Sequence, residues 1–331
     1  MNRREFMIAT AGGLLSAMAG RTEAAAPVAE KPFQGGPGRS KTKVSLVKTS
    51  DRASGIKRTI DLLGINPAKG KAVLLKPNFN TADPFPGSTH NDTLVYLIEL
   101  LKQMGAKGIT IGERSGPPAT SRVLREKGIY DLCQRLDVGL INFEDLPSQD
   151  WVRVRPKQSH WRDGFDVAKP VLDAACIVTT CCLKTHRFGG VFTMSLKLSV
   201  GMTHKRNMTE LHASYLSMRK MIAEINQVYT PSLIVLDGIE AFVDGGPTRG
   251  SKKQADVILA GTDRIAIDAI GLAILKELGS NRAIMDKKVF EQEQIARAAE
   301  LGLGITDPEK IDLIADDEDA KRYAERLMQM M

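Results

Sequence analysis

Hydrophobic and polar positions change period repeatedly along this chain. Short β-branched apolar runs, too brief for helices, alternate with longer stretches in which apolar residues recur every three or four positions. The short runs predict strands over 43–48, 71–75, 109–112, 139–143, 176–180, 233–237, 257–260 and 311–314, with an edge strand over 151–155. The longer stretches predict helices over 52–63, where Ile56, Ile60 and Leu63 share a face, and over 92–104, with Asn91 as cap and Gly105 as stop. Further helices are expected over 121–136 (two pieces broken at Gly128), 209–229, 263–278 (capped by Thr262), 289–301 and 317–328. Strand–helix alternation of this kind predicts an α/β fold, a mainly parallel sheet flanked by helices. Two lobes, divided near 150–170, fit the length. No internal repeat or low-complexity segment is evident.

Composition narrows the class. The chain has 331 residues, 43% hydrophobic and 26% charged, which excludes a disordered, collagen-like or coiled-coil protein. At such a length roughly three quarters of the unfolded surface is buried on folding, so stability does not require disulfides or metals. The cysteines are Cys133, Cys176, Cys181 and Cys182. No CxxC pair occurs, so zinc-ribbon, thioredoxin and iron–sulfur patterns are absent, and the four read as small buried thiols. The net charge is +7, and removal of residues 1–26, with three arginines and two glutamates, leaves +6. That excess is spread along the chain, no Lys/Arg run exceeds two, and aromatics are only 5%. Nucleic-acid binding lacks its electrostatic footprint, and a small anionic ligand fits better.

The N-terminus reads as an address. Met1-Asn2-Arg3-Arg4-Glu5-Phe6-Met7-Ile8 resembles a twin-arginine export signal. A modest apolar stretch over 7–19 follows, then Ala24-Ala25-Ala26, which suits an A-x-A cleavage site. Residues 1–26 are therefore expected to be a signal recognised by the twin-arginine export machinery, 27–42 a Pro/Gly-rich linker, and 43–331 the α/β domain. The mature chain is expected outside the cytoplasm, in the periplasm or beyond. Past the N-terminus no apolar run is long enough to span a bilayer.

In open α/β sheets ligands bind beyond the carboxyl ends of the strands. The expected strands are followed there by Lys76-Pro77-Asn78, by Glu113-Arg114-Ser115-Gly116, by Lys184-Thr185-His186 before Gly189-Gly190, by Asp237-Gly238, and by Thr262-Asp263. Lysines at strand ends beside backbone N–H groups suit a carboxylate or phosphate. Lys184-Thr185-His186 is expected in a glycine-flanked loop, where backbone approaches a ligand closely. His186 has the chemistry of a proton carrier or a metal ligand. His186, His204 and His212, with Asp237, carry donor atoms suited to a divalent cation, although the eight-residue spacing of the last two histidines is not that of an HExxH helix. Lys197, amid apolar residues, requires a partner, with Asp237, Asp263 and Asp268 as candidates. No GxSxG, P-loop or GxGxxG is present.

Taken together, these motifs resemble the family called domain of unknown function 362. The matching stretches are Lys76-Pro77-Asn78, Gly87-x-Thr89-His90, Lys184-Thr185-His186, Ser195-Leu196-Lys197 through Gly201, Asp237-Gly238, Gly246-Pro247, and Thr262-Asp263 through Asp268. The resemblance runs from about residue 71 to 275. Many members carry a ferredoxin-like iron–sulfur segment, which this chain lacks, and the family's usual Lys-Asn stands here as Lys197-Leu198. The loops are also loosely similar, at the level of fold, to the nickel-dependent lactate racemase family. The resulting expectation is an exported α/β protein acting on a small anionic molecule. His186, Lys184 and Asp237 are its candidate catalytic residues. Lys76, Asn78, Thr89, His90, Lys197, Arg206, Asp263 and Asp268 are its candidate ligand contacts. The rival expectation is a non-catalytic binding or assembly protein for a cofactor, metal or anion.

Overall fold

The computed structural model describes residues 41–331, and the expected export signal and nearly all of the expected linker lie outside the described residues. Eleven strands are present among those residues. They are β1 (Thr42–Lys48), β2 (Ala72–Lys76), β3 (Gly108–Glu113), β4 (Gly139–Asn142), β5 (Trp151–Val154), β6 (Phe165–Ala168), β7 (Cys176–His186), β8 (Val191–Thr193), β9 (Leu233–Gly245), β10 (Gly250–Gly261) and β11 (Ile311–Ala315). Nine of them form one sheet in the order β11-β1-β10-β9-β7-β2-β3-β4, with β8 paired to β7. Every strand on that path runs the same way except β10, antiparallel to both its neighbours. The sheet is thus α/β and mostly parallel, as the alternation predicts.

Local signals explain the elements that match best. The helix Arg52–Leu63 starts at Asp51, whose carboxylate accepts the N–H groups of Ala53 and Ser54, and stops at Gly64 in the left-handed conformation. Its buried stripe, Ile56, Ile60 and Leu63, packs with Leu94, Leu97, Ile98 and Leu101 of the helix Asn91–Gln103 over one face of the sheet. The other face is covered by the helix Arg264–Glu277, buried from Arg264 through Leu275. Strand β7 serves both layers by alternation: Cys181 and Leu183 join one core, Val178 and Cys182 the other. A third cluster gathers Trp151, Trp161, Phe165 and Met221 around the small β5–β6 pair, where the expected edge strand pairs with β6 and not with the main sheet.

Other elements depart from expectation. The cap of the second helix is His90, not Asn91, and that of Arg264–Glu277 is Asp263, not Thr262. The long helix expected over 209–229 is two, Asn207–Ala213 and Met218–Ile225. Between them Tyr215 and Leu216 turn outward, 61% and 83% exposed, which no continuous helical face would impose. The pattern over 289–301 contains a single turn followed by the helix Glu293–Glu300. Most consequentially, Lys184-Thr185-His186 is not a loop. Strand β7 continues through it, paired with β8 on one side and β9 on the other. Among the described residues no helix is long and apolar enough to cross a membrane.

Candidate functional site

At the carboxyl end of β2, β3 and β7 lies a cavity of about 50 Å3, room for a few water molecules or one compact ligand. Four cationic side chains line it, Lys76, Arg114, Lys184 and Lys197, against one carboxylate, Glu113.

The floor is tightly paired. Lys76, the last residue of β2, is buried with its Nζ 2.5 Å from Glu113 Oε1 and donating to the Pro77 carbonyl at 2.7 Å. Glu113, the last residue of β3, also accepts the N–H groups of Phe79 and Arg114, each at 2.8 Å. Burial pulls the Lys76 ammonium down and pushes the Glu113 carboxyl up, and each partner's charge opposes that shift in the other. A Cβ on Gly201 would sit 2.8 Å from Lys76 Nζ and 3.0 Å from Glu113 Oε1, so only glycine lets this backbone close over the pair. Arg114 spends its guanidinium on backbone carbonyls, Thr203 at 2.8 Å, Ser115 at 3.0 Å and Val200. Burial lowers it to about 10, still cationic at neutral pH.

Lys184 and His186 share a face of β7 because side chains two apart in a strand point the same way. Lys184 is fully buried, and its ammonium donates to Asn78 Oδ1 at 2.9 Å, to Pro247 O at 3.3 Å and to Gly87 O. All three acceptors are neutral, so its charge is solvated but not cancelled, and burial lowers its pKa. The loop that carries Asn78 is fastened by Thr89, whose Oγ1 accepts the Asn78 N–H at 2.8 Å and whose N–H reaches the Asn78 carbonyl.

The wall opposite is unsatisfied. Lys197 makes no hydrogen bond or ion pair with any described residue. Burial, reinforced by the charges of Lys184 and Arg114, lowers it to about 8. His186 is 9% exposed, and its Nδ1 is buried without a partner. Burial first, then Lys197 and Lys184, holds it down to about 2, so the imidazole is neutral. Thr193 lines the same cavity, and its Oγ1 is likewise buried and unpartnered. Lys197 Cε and His186 Nδ1 converge on Gly190, where an added Cβ would lie 2.8 Å and 3.0 Å from them. Lys197 rides on the short helix Ser195–Leu198, whose first N–H groups, Ser195 and Leu196, donate to Asp268 at 2.6 and 2.9 Å.

The structure therefore gathers Lys76, Asn78, Lys184, His186 and Lys197 in one cavity, and places Thr89 and Asp268 directly behind it. The remaining candidates lie elsewhere. Asp237 does not orient His186: its carboxylate accepts Arg52 Nε at 2.8 Å and Thr93 Oγ1 at 2.6 Å, tying two helices to β9. His90 caps the helix Asn91–Gln103 through its Nδ1, and Asp263 caps Arg264–Glu277 while accepting the Ile305 N–H. Arg206 forms a two-point pair with Asp166. The histidine trio is not brought together as a ligand set. His204 packs edge-on against Trp151, and His212 Nδ1 lies against the Met208 carbonyl. Among the described residues no group of three or more His, Cys, Asp or Glu side chains is arranged to hold a metal ion. Glu113 and Arg114, placed at a strand end by the sequence, were given no role there, and Thr193 was missed. The first two follow a predicted strand, which is the signal that singled out Lys76.

The search of known proteins adds three likenesses. The chain is 26% identical over 214 residues to "Thylakoid-associated protein sll1697" of Synechocystis sp., a match covering 62% of this chain and 64% of that relative, so it spans less than two thirds of the relative's length. Among solved structures, the lactate racemase apoprotein from Thermoanaerobacterium thermosaccharolyticum is similar with a TM-score of 0.42 and 12% identity, covering 86% of this chain and 85% of that one. The profile of the family described as "Domain of unknown function (DUF362)" matches residues 73–273, a span that contains every cavity-lining side chain named above. With more than half of its length matched, the chain belongs to that family.

Proposed function

We propose that this is an exported α/β enzyme that binds a small anion in the strand-end cavity and moves a proton on it through Lys197 and His186. The observation that carries the reading is the charge imbalance: four cations line the cavity against one carboxylate, and that carboxylate is already held by Lys76. An anion is the missing counter-charge, since even a half-buried ammonium among other cations is costly without a partner. In this reading Lys184 supplies charge, Lys197 touches the anion, and neutral His186, its Nδ1 unpartnered, relays the proton from one ring nitrogen to the other without being held as an imidazolium. The Arg3-Arg4-x-Phe6 opening and Ala24-Ala25-Ala26 support delivery by the twin-arginine export machinery to the periplasm or beyond.

Calorimetric titration of the full chain with oxamate, a small unreactive carboxylate, tests the binding. Lys197→Met is expected to weaken it roughly tenfold to hundredfold, the loss expected for a hydrogen bond to a charged group. The affinity of the unaltered chain falls as pH rises above about 8, where Lys197 sheds its proton. An affinity indifferent to both changes overturns the reading. A second reading, a binding or assembly protein for an anionic ligand, cofactor or metal, is favoured by one feature: no carboxylate orients His186, because Asp237 is engaged with Arg52 and Thr93. Tight binding without turnover across small carboxylates and phosphates would select it.

A further inference from the structure

We infer that Lys197 is a nucleophilic amine for a small 2-oxo acid, its Nζ attacking the carbonyl carbon while the cationic cavity holds the adjacent carboxylate. The inference rests on the anion-binding reading above and names its substrate class.

The three lysines of the cavity are treated differently by the fold. Lys76 has a carboxylate and a carbonyl, and Lys184 has three oxygen acceptors, so both amines are occupied. Lys197 alone is left without an acceptor, beside two other cations. That is the environment that lowers an ammonium's pKa, so that a larger fraction than for a surface lysine is the free amine that attacks carbonyl carbon. Its pKa of about 8 agrees. The side chain is also aimed: Asp268 fixes the helix from which it projects, and its Cε passes His186 Nδ1 at Gly190. An amine that only anchored an anion would have no use for a neutral, unpartnered imidazole alongside.

Two further groups fit the carboxylate. Lys184 draws Asn78 Oδ1 to itself, which leaves the Asn78 amide N–H groups to donate into the cavity, and the Thr193 hydroxyl is free to do the same. A site joining a positive field to a nucleophilic amine suits a substrate whose carbonyl adjoins its carboxylate. The cavity of about 50 Å3 restricts it to one with few heavy atoms.

The step balances without a further reagent. The Lys197 lone pair forms the C–N bond, and the carbonyl π pair moves to oxygen, which takes up a proton. His186 relays the proton shed by the nitrogen. The resulting hydroxyl leaves as water with a second proton, the one that the Lys197 ammonium released to become the free amine, as the nitrogen lone pair forms C=N. The products are one iminium on Lys197 and one water.

The test is reductive trapping. The full chain is incubated with pyruvate and cyanoborohydride at pH 7, then mapped by peptide mass spectrometry, with exchange of the pyruvate carbonyl oxygen into labelled water measured in parallel. Lys197 is expected to be modified roughly a hundredfold faster than surface lysines, in line with its larger unprotonated fraction, each pKa unit counting tenfold. Carbonyl exchange is expected to vanish in Lys197→Arg, whose folding is checked by its melting temperature. Trapping absent from Lys197, or spread evenly over surface lysines, overturns the inference even where oxamate still binds, and the anion-binding reading then stands alone. Failure of both pyruvate trapping and oxamate binding overturns both.

Discussion

The two walls of the cavity are built from the same residue types to opposite ends. On one side Lys76, Glu113 and Arg114 satisfy one another and the surrounding backbone, and Gly201 closes over them. On the other, His186 and Thr193 are withdrawn from water with unpartnered polar atoms, and half-buried Lys197 has no acceptor among the described residues. Buried polar groups are nearly always paired. A side of the cavity that breaks this rule beside one that obeys it separates the groups that hold the fold from those to which the proposed reading assigns a ligand.

The sharpest way to break the comparison is to exchange the behaviours. Glu113→Gln leaves the Lys76 ammonium buried without its counter-charge, and unfolding by urea is expected to register a loss of about 3–5 kcal/mol. Lys197→Met removes a half-buried amine that has no partner among the described residues, and its stability is expected to stay within about 1 kcal/mol of the unaltered chain. Equal losses would dissolve the distinction between the walls.

A middle-sized effect sharpens it. Asp268, behind Lys197, has its carboxyl pushed by burial from 3.8 to about 7, against the pull of two backbone N–H donors. Between those values the folded chain keeps a proton that the unfolded chain has released. Stability from this group is therefore fully present below about pH 4 and declines as pH rises towards 7, at most about 1.4 kcal/mol per pH unit. Urea titrations at pH 4.5 and 7 measure it, and Asp268→Asn is expected to flatten the slope. An unchanged slope would assign the pH dependence to another group.

The smallest effect concerns a residue outside both walls. His90 accepts the Asp92 N–H as a helix cap. His90→Ala is expected to lower stability by about 1 kcal/mol, as loss of a cap does, with oxamate affinity unchanged. A tenfold loss of affinity would instead place His90 in the site.

Legibility followed the range of the interactions involved. The helix Arg52–Leu63 was readable to the residue because its cap, its stripe and its terminal glycine all lie between residues 51 and 64. Lys76, Lys184 and His186 were readable as neighbours at one edge of the sheet, where they line the same cavity, because each follows a buried apolar run. Asp237 was misread because proximity to a strand end says nothing about which face a side chain takes. Strand β9 runs on to Gly245, and Asp237 turns to Arg52 and Thr93. The loop reading of residues 184–186 failed for a related reason: strand pairing with β8 and β9 prolongs β7 where polar side chains end its local signal.

The sequence by itself determined the alternating architecture, the edge of the sheet at which chemistry collects, and membership in a family whose motifs lie along that edge. Only the tertiary structure decided which lysine is satisfied and which is left open. Lys76 finds Glu113 37 positions away, and Lys184 finds Asn78 106 positions away. Periodicity reports which face of an element a residue occupies. It does not report what the opposing chain offers there, and that supply of acceptors separates a satisfied ammonium from an open one.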